Sequence, residues 1–417
     1  MRSLFGSRRL LVLCAFLAVN AGAAEYIPMY QLSLLGGQYF FGGGKSSLNG
    51  NAVGNVSPAV KFNDHWTLLP TYAVEYQGTK PVTDPVGSGT LFQQRMDHRV
   101  SVSGLYSDPG GRWRVKQSAS YKREFMKETR DEAWGRGLFD YHKAGVGFEV
   151  EDVYKDPFSI RLGYDFYYIK FPYFQSLESK AGVDPSGNRL GRETAGSNVL
   201  DTINNQFSLA VSRPFPYNDP KVALSANYNV NFQRFIDQNL VNRAGQFQSS
   251  RRQDITQNLG LSVVRPMNVS IFGGPYRLSN RFGVGASYNG SNQNSFDAGR
   301  AKFIPDAYSY ASYYVGPSWN LGWGPERMPA WVSLGFTYSR IQYLGRLAQD
   351  GGGIYLTDKQ STDRYHLSLG YGYPIAPNFS LKASANFLWA ASNQKFETTY
   401  KYTYSTANYL LGFSYDY

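Results

Sequence analysis

Twelve charged residues stand at alternate positions over four successive stretches: Asp97 and Arg99; Arg112, Arg114, Lys116, Lys122 and Glu124; Lys143, Glu149 and Glu151; Arg161 and Asp165. Alternate residues of an extended chain share a face, so each stretch carries its charge on one side. Seven are basic and five acidic. Two kinds of electrostatics fit: a salt-bridged lattice that stiffens a wall and keeps it wet, or a basic stripe that attracts anionic solutes. Neither is catalysis. Of the four histidines, His65, His98, His142 and His366, only His366 falls clearly on a polar face, beside Arg364 and Ser368. They assemble no serine–histidine–carboxylate or paired-carboxylate constellation. The one cysteine, Cys14, lies in the first apolar segment, so the rest of the chain has no thiolate ligand or nucleophile. The Asp350-Gly351-Gly352-Gly353 run reads as a flexible loop tip rather than a metal loop. No cofactor, metal or enzymatic activity is expected. With no block of five like charges and no basic helix, no nucleic-acid partner is expected either.

The elements that must hold these charges are strands. Opposite Arg112 to Lys122 stand Trp113, Val115, Ala119 and Tyr121. Opposite Arg161 and Asp165 stand Phe158, Ile160, Leu162, Tyr164, Phe166 and Tyr168. Strict alternation of this kind is the mark of a strand between two solvents. It recurs over about sixteen segments: 30–41, 51–62, 66–76, 95–106, 112–125, 141–152, 158–170, 200–213, 221–235, 252–264, 277–289, 307–321, 330–343, 362–373, 379–389 and 406–417. The breaks alternate between tight turns, such as Asn63-Asp64 and Lys155-Asp156-Pro157, and long polar connections, such as 77–94, 126–140 and 171–199. Pro58 and Pro70 sit on neighbouring strands, where each removes a ladder donor, so a bulge or weak seam is expected there.

Aromatic residues make up 16% of the chain, with 33 Tyr, yet no apolar run after the first segment approaches the length of a membrane helix. Greasy residues diluted one for one by polar ones describe a transmembrane barrel. The expected fold is all-β: an antiparallel up-and-down barrel of about sixteen strands (14–18) in one domain, residues 24–417. Residues 1–23 read as a secretory signal, with Arg2, Arg8 and Arg9 before the apolar run Leu10–Val19 and the small residues Ala21-Gly22-Ala23 at its end.

The terminal stretch T-A-N-Y-L-L-G-F-S-Y-D-Y, 406–417, puts Ala407, Tyr409, Leu411, Phe413, Tyr415 and Tyr417 on one face. With Gly412 followed by Tyr415 and Tyr417 at three and five residues, it resembles the C-terminal sorting strand of Gram-negative outer-membrane β-barrels. That resemblance implies residence in the outer membrane of a Gram-negative bacterium, contact with its lipid and lipopolysaccharide, and insertion by the barrel-assembly machinery. It also implies a porin-like channel for small polar or anionic solutes. In porins the third outer loop folds into the pore with acidic residues; here the connection 126–140 carries Glu128, Asp131 and Glu132. A closed or plugged barrel serving as receptor, adhesin or envelope scaffold is the alternative.

From about 252 onward the polar face is mostly small: Gly260, Ser262, Gly283, Gly285, Gly316, Gly335, Gly370, Gly372, Gly412. Such a wall either permits curvature or lets another segment approach closely. The longest connection, 171–199, is the expected occupant, folded inward as a constriction or plug.

Overall fold

The computed structural model describes residues 24–42, 45–78, 82–83, 90–91, 94–127, 132–155, 158–175, 193–215, 222–326, 328–397 and 401–417. The expected signal, Met1–Ala23, lies outside the described residues. Sixteen strands form one wall: β1 Tyr30–Phe41, β2 Lys45–Val56, β3 Trp66–Gln77, β4 Gln94–Ser107, β5 Trp113–Lys127, β6 Tyr141–Lys155, β7 Phe158–Lys170, β8 Thr202–Phe215, β9 Val222–Val241, β10 Phe247–Ile271, β11 Gly274–Ser291, β12 Tyr310–Trp323, β13 Ala330–Gln349, β14 Tyr355–Ala376, β15 Phe379–Ser392 and β16 Tyr404–Asp416. Each pairs antiparallel with its neighbours in sequence, and β1 pairs with β16 from Gln31↔Asp416 to Phe41↔Thr406. The sheet is thereby a closed barrel without edges.

Period two sorts the side chains. Val146 (56% exposed), Leu162 (59%) and Leu411 (67%) share the outer face with Val100, Phe207 and Leu334. A wall this apolar on its outside has no second layer to cover it, and hydrocarbon is the medium it suits. The shortest wall strands have 12 residues, enough to cross a bilayer core at a tilt. The longest, β10, has 25 and stands well clear of it.

Local chemistry sets the turns. Asn63 Oδ1 accepts from the His65 and Trp66 amides, both at 2.9 Å, and Asp108 carboxylate oxygens accept from Gly110 and Trp113. Both side chains mimic a backbone turn and fix a hairpin. β10 and β11 are joined by Phe272 (φ 49°) and Gly273 (φ 78°), two consecutive left-handed residues that match strand twist.

The expected weak seam is present. Register runs unbroken from Val56↔Tyr72 to Val60↔Leu68, yet between them, where Pro58 faces Pro70, the ladder is interrupted. Ser57 and Thr71 hydroxyls bridge the gap at 2.7 Å, and Glu25–Ile27 pairs with Ala59–Lys61 on its other side.

Three expectations are corrected. β2 begins at Lys45 rather than 51, because its first half, Lys45-Ser46-Ser47-Leu48-Asn49-Gly50, is too polar and small to show alternation. The stretches 236–251 and 344–361, read as loops, are mostly extensions of the β9–β10 and β13–β14 hairpins beyond the wall. Their buried face packs on other connections through residues such as Gln238 and Gln360 rather than on lipid, so they carry no apolar alternation to read. The turn expected at Gly273-Gly274-Pro275 falls one residue earlier, Gly274 and Pro275 being paired in β11.

Candidate functional site

The barrel gathers the charged stretches of β4–β7 onto its inner face, in register. Arg99↔Lys122 and Lys122↔Lys143 are direct cross-strand neighbours, as are Asp97↔Glu124, Arg114↔Glu151 and Glu151↔Arg161. Most of the carboxylates are engaged. Asp97 receives Arg95 at 3.6 Å and Lys122 at 3.5 Å, while Glu124 receives Lys122, Arg95 at 3.7 Å and the Tyr141 hydroxyl at 2.6 Å. Nearer the short turns, Arg161 lies 3.7 Å from Glu149 and 3.6 Å from Glu151, and Arg114 lies 3.4 Å from Glu151. This is a lattice in two clusters. Asp97 and Glu124 are buried, so removing Arg95 or Lys122 from the first cluster would strand a desolvated charge.

Cations remain outside it. Lys143 stands 3.6 Å above the Tyr167 ring. Lys116 faces Glu149 in register with no ion pair closing it among the described residues, and Arg99 faces a second cation, Lys122. Arg99, Arg114, Lys116 and Arg161 are solvent-exposed although they point into an enclosed space. Its interior therefore holds water.

Arg112 does not belong to this set. It precedes β5, pairs with Asp152 at 2.8 Å and lies over the Trp113 and Tyr154 rings, all on the outer side of the rim. Its parity fits the inner face, but a residue in the turn is not bound by strand alternation. Arg95 and Glu75 are inner-face residues missed in the sequence, although Arg95 shares the parity of Asp97 and Arg99.

The small wall houses inward-pointing rings. A Cβ at Gly285 would meet Tyr314 at 2.3 Å, and one at Gly372 would meet Trp331 at 2.3 Å, so inward aromatic side chains of β12 and β13 lie flat against glycine. The expected packing of the 171–199 connection against this wall falls mostly on residues 176–192, outside the described residues.

That connection nevertheless turns inward, at the mouth. Phe174, Val199 and Leu200 pack in a buried cluster with Met126 and Phe139 above β5 and β6. Beyond them Glu193, also buried, accepts from the Tyr308 hydroxyl at 3.1 Å and the Phe296 amide at 3.4 Å, in the β11–β12 connection. The loop thus reaches from above β5 to the far side of the mouth. Its middle, 176–192, and Glu128 and Asp131 of the third connection lie outside the described residues.

Tyr308 is the hub. The Arg252 guanidinium lies 4.0 Å from its ring centre and that of Arg346 5.3 Å. Arg252 forks onto Asp254 at 2.9 and 2.6 Å and donates to Gln238 Oε1 at 3.0 Å; Arg346 donates to the Ala307 carbonyl. Burial, and then the Glu193 carboxylate, hold the Tyr308 phenol above its ordinary range. A cavity of about 230 Å³ runs beneath, lined by Thr194, Gln238, Arg252, Asp254, Tyr308 and Arg346. Arg252 could have been placed by extending β10's alternation back from Gly260. Arg346 and Glu193 could not, since both lie in stretches read as loops.

His366 shares the inner face with Arg364 and Ser368, as expected. Among the described residues no group of three His, Cys, Asp or Glu is placed to hold a metal ion.

At the terminus, Phe413, Tyr415 and Tyr417 face outward beside Leu34, Leu32 and Tyr30, with Tyr30 and Tyr417 exchanging backbone hydrogen bonds at 2.9 and 2.8 Å. Gly412 is required by the seam: a Cβ there would lie 1.8 Å from the Leu34 carbonyl oxygen.

No family model matches the chain, and no curated protein matches it in sequence. In architecture it is similar to a bacterial polysaccharide outer-membrane secretin (9% identity, 94% of this chain and 98% of that one, TM-score 0.44). It is also similar to OccD3 of Pseudomonas aeruginosa (10%, 95% and 94%, 0.47) and to OmpT, an outer membrane protein of Vibrio cholerae (10%, 96% and 100%, 0.42). At such identities the likeness is one of architecture alone.

Proposed function

We propose that the chain is an outer-membrane channel of a Gram-negative bacterium through which small polar or anionic solutes diffuse passively. The carrying observation is the exposure of Arg99, Arg114, Lys116 and Arg161 inside a closed wall whose outer face is apolar. Charged groups in a water-filled lumen set the local potential and replace part of a solute's hydration. Arg99, Lys116 and Lys143, outside the salt-bridged clusters, favour anions. The preference is mild, because Glu75, Asp97, Glu124, Glu149 and Glu151 share the wall.

In this reading the loop end at Glu193 narrows the mouth, and the cavity among Thr194, Arg252 and Arg346 is part of the path. Liposome swelling tests it: vesicles carrying the folded protein should admit small sugars and organic anions and exclude larger oligosaccharides. Vesicles that stay osmotically intact to all of them would contradict it. The pinned loop end also favours a second reading, a barrel shut at the mouth whose outer loops make surface contacts, and swelling would be absent in that case.

A further inference from the structure

The outer wall carries a second charged feature on the same four strands, with the opposite character. His98 of β4 faces Arg123 of β5, Arg123 faces His142 of β6, and His142 faces Lys170 of β7. All four have the parity of Val100, Tyr121, Ala144 and Tyr168, which form the next row toward the short turns. They therefore point away from the lumen. At the strand spacing the row is roughly 14 Å long.

No carboxylate interrupts it. The acids at its upper edge are committed elsewhere: Asp140 accepts from the Met126 and Gly137 amides, and Asp201 from the Phe171 amide and Tyr168 hydroxyl. Among the described residues no ion pair engages Arg123 or Lys170. Two other outward cations are paired, Arg340 with Asp363 and Arg112 with Asp152. Phenols below the row steady the imidazoles: Tyr72 bonds His98 Nδ1 at 2.9 Å, and Tyr121 bonds His142 Nδ1. With the phenol donating, each ring keeps its proton on Nε2 as a donor.

We propose that this row binds the phosphate groups of an anionic glycolipid in the outer leaflet, the lipid's chains lying on the apolar wall beneath. The vertical order argues for a lipid rather than a soluble anion. Cations and N–H donors stand next to the long-loop rim, then tyrosines, then Val102, Val146, Phe148 and Phe166, all exposed. An amphiphile with an anionic head and hydrocarbon tail has the same order. The proposal rests on the outer-membrane reading; a protein that stayed soluble without surfactant would sink that reading, whereas the result below addresses the row alone.

The test is a binding titration of the full-length folded protein in neutral detergent with bisphosphorylated lipid A, dephosphorylated lipid A and inorganic phosphate. Wild type should prefer the phosphorylated lipid, and Arg123→Gln/Lys170→Gln should bind it about tenfold more weakly. The charge-matched lumen variant Arg99→Gln/Lys116→Gln should bind as wild type. If the double variant fails to fold, each single substitution should weaken binding about threefold. Equal binding by the row variants, equal binding of dephosphorylated lipid, or full displacement by equimolar phosphate would overturn the proposal. So would an oligomer that dissociates on Arg123→Gln/Lys170→Gln without any lipid dependence, which would make the row a contact between copies.

Discussion

Glu193 and Tyr308, 115 residues apart, meet through a 3.1 Å hydrogen bond from phenol to carboxylate. Each lies in a different long connection, and both are buried. The contact carries the β7–β8 connection over the mouth and holds it there. Its strength comes from surroundings that exclude water, with one guanidinium 4.0 Å from the Tyr308 ring centre and another further off.

Removing the donor tests this latch. Tyr308→Phe leaves Glu193 with the Phe296 amide, and a buried carboxylate losing a partner costs about 1.5–3 kcal/mol. Hydrogen exchange in 193–201 should rise, with β10 below 256 to 264 unchanged. Unchanged exchange in 193–201 would show that the loop end is held by the Phe174–Val199 cluster alone.

Selectivity should follow the cations outside the clusters. Arg99→Gln with Lys116→Gln should move the reversal potential under a KCl gradient toward cation preference, by about two- to threefold in permeability ratio. Arg112→Gln should leave it where it was, since its guanidinium sits at the outer rim over Trp113 and Tyr154.

Closure should depend on Gly412 and not on Gly36, which stands opposite Leu411 in the same seam. Gly412→Ala places a methyl 1.8 Å from the Leu34 carbonyl oxygen, whereas a Cβ at Gly36 meets nothing within 4 Å. Forced overpacking costs on the order of 1–3 kcal/mol, and backbone yields less than a side chain. The heat-modifiable folded fraction should fall sharply for Gly412→Ala and match wild type for Gly36→Ala.

Acid should tighten the loop anchors. Burial raises the Asp140 and Asp201 carboxyls above their ordinary range, against the amides and the Tyr168 hydroxyl that bond them. A raised acid favours the protonated folded form. Its stabilising contribution is complete below the ordinary carboxylate pKa and is lost as pH rises through the folded value. Protection of the Met126 and Phe171 amides, corrected for intrinsic exchange, should therefore hold or increase as pH falls from 7 toward 4. A decrease would contradict it.

Much of the wall was legible because lipid and lumen impose opposite demands on alternate residues. β7 was readable to the residue, Phe158–Lys170, since every even position from 158 to 168 is large and apolar. The proline seam followed from the missing donors of Pro58 and Pro70. What was not legible lies where that contrast fails. β2 begins among Ser, Asn and Gly, and the tips of β9–β10 and β13–β14 bury one face against other connections rather than against lipid. Arg346 and Glu193 took their places through contacts between connections far apart in sequence, which no period records. Arg112 had the right parity in the wrong place, one residue before strand geometry takes hold.

Recording single channels from the folded protein in planar bilayers tests the central claim most directly. The account predicts stepwise current increments with mild anion preference, and Tyr308→Phe should add open-state noise without abolishing the steps. Incorporation of correctly folded barrel that leaves the bilayer silent would contradict it.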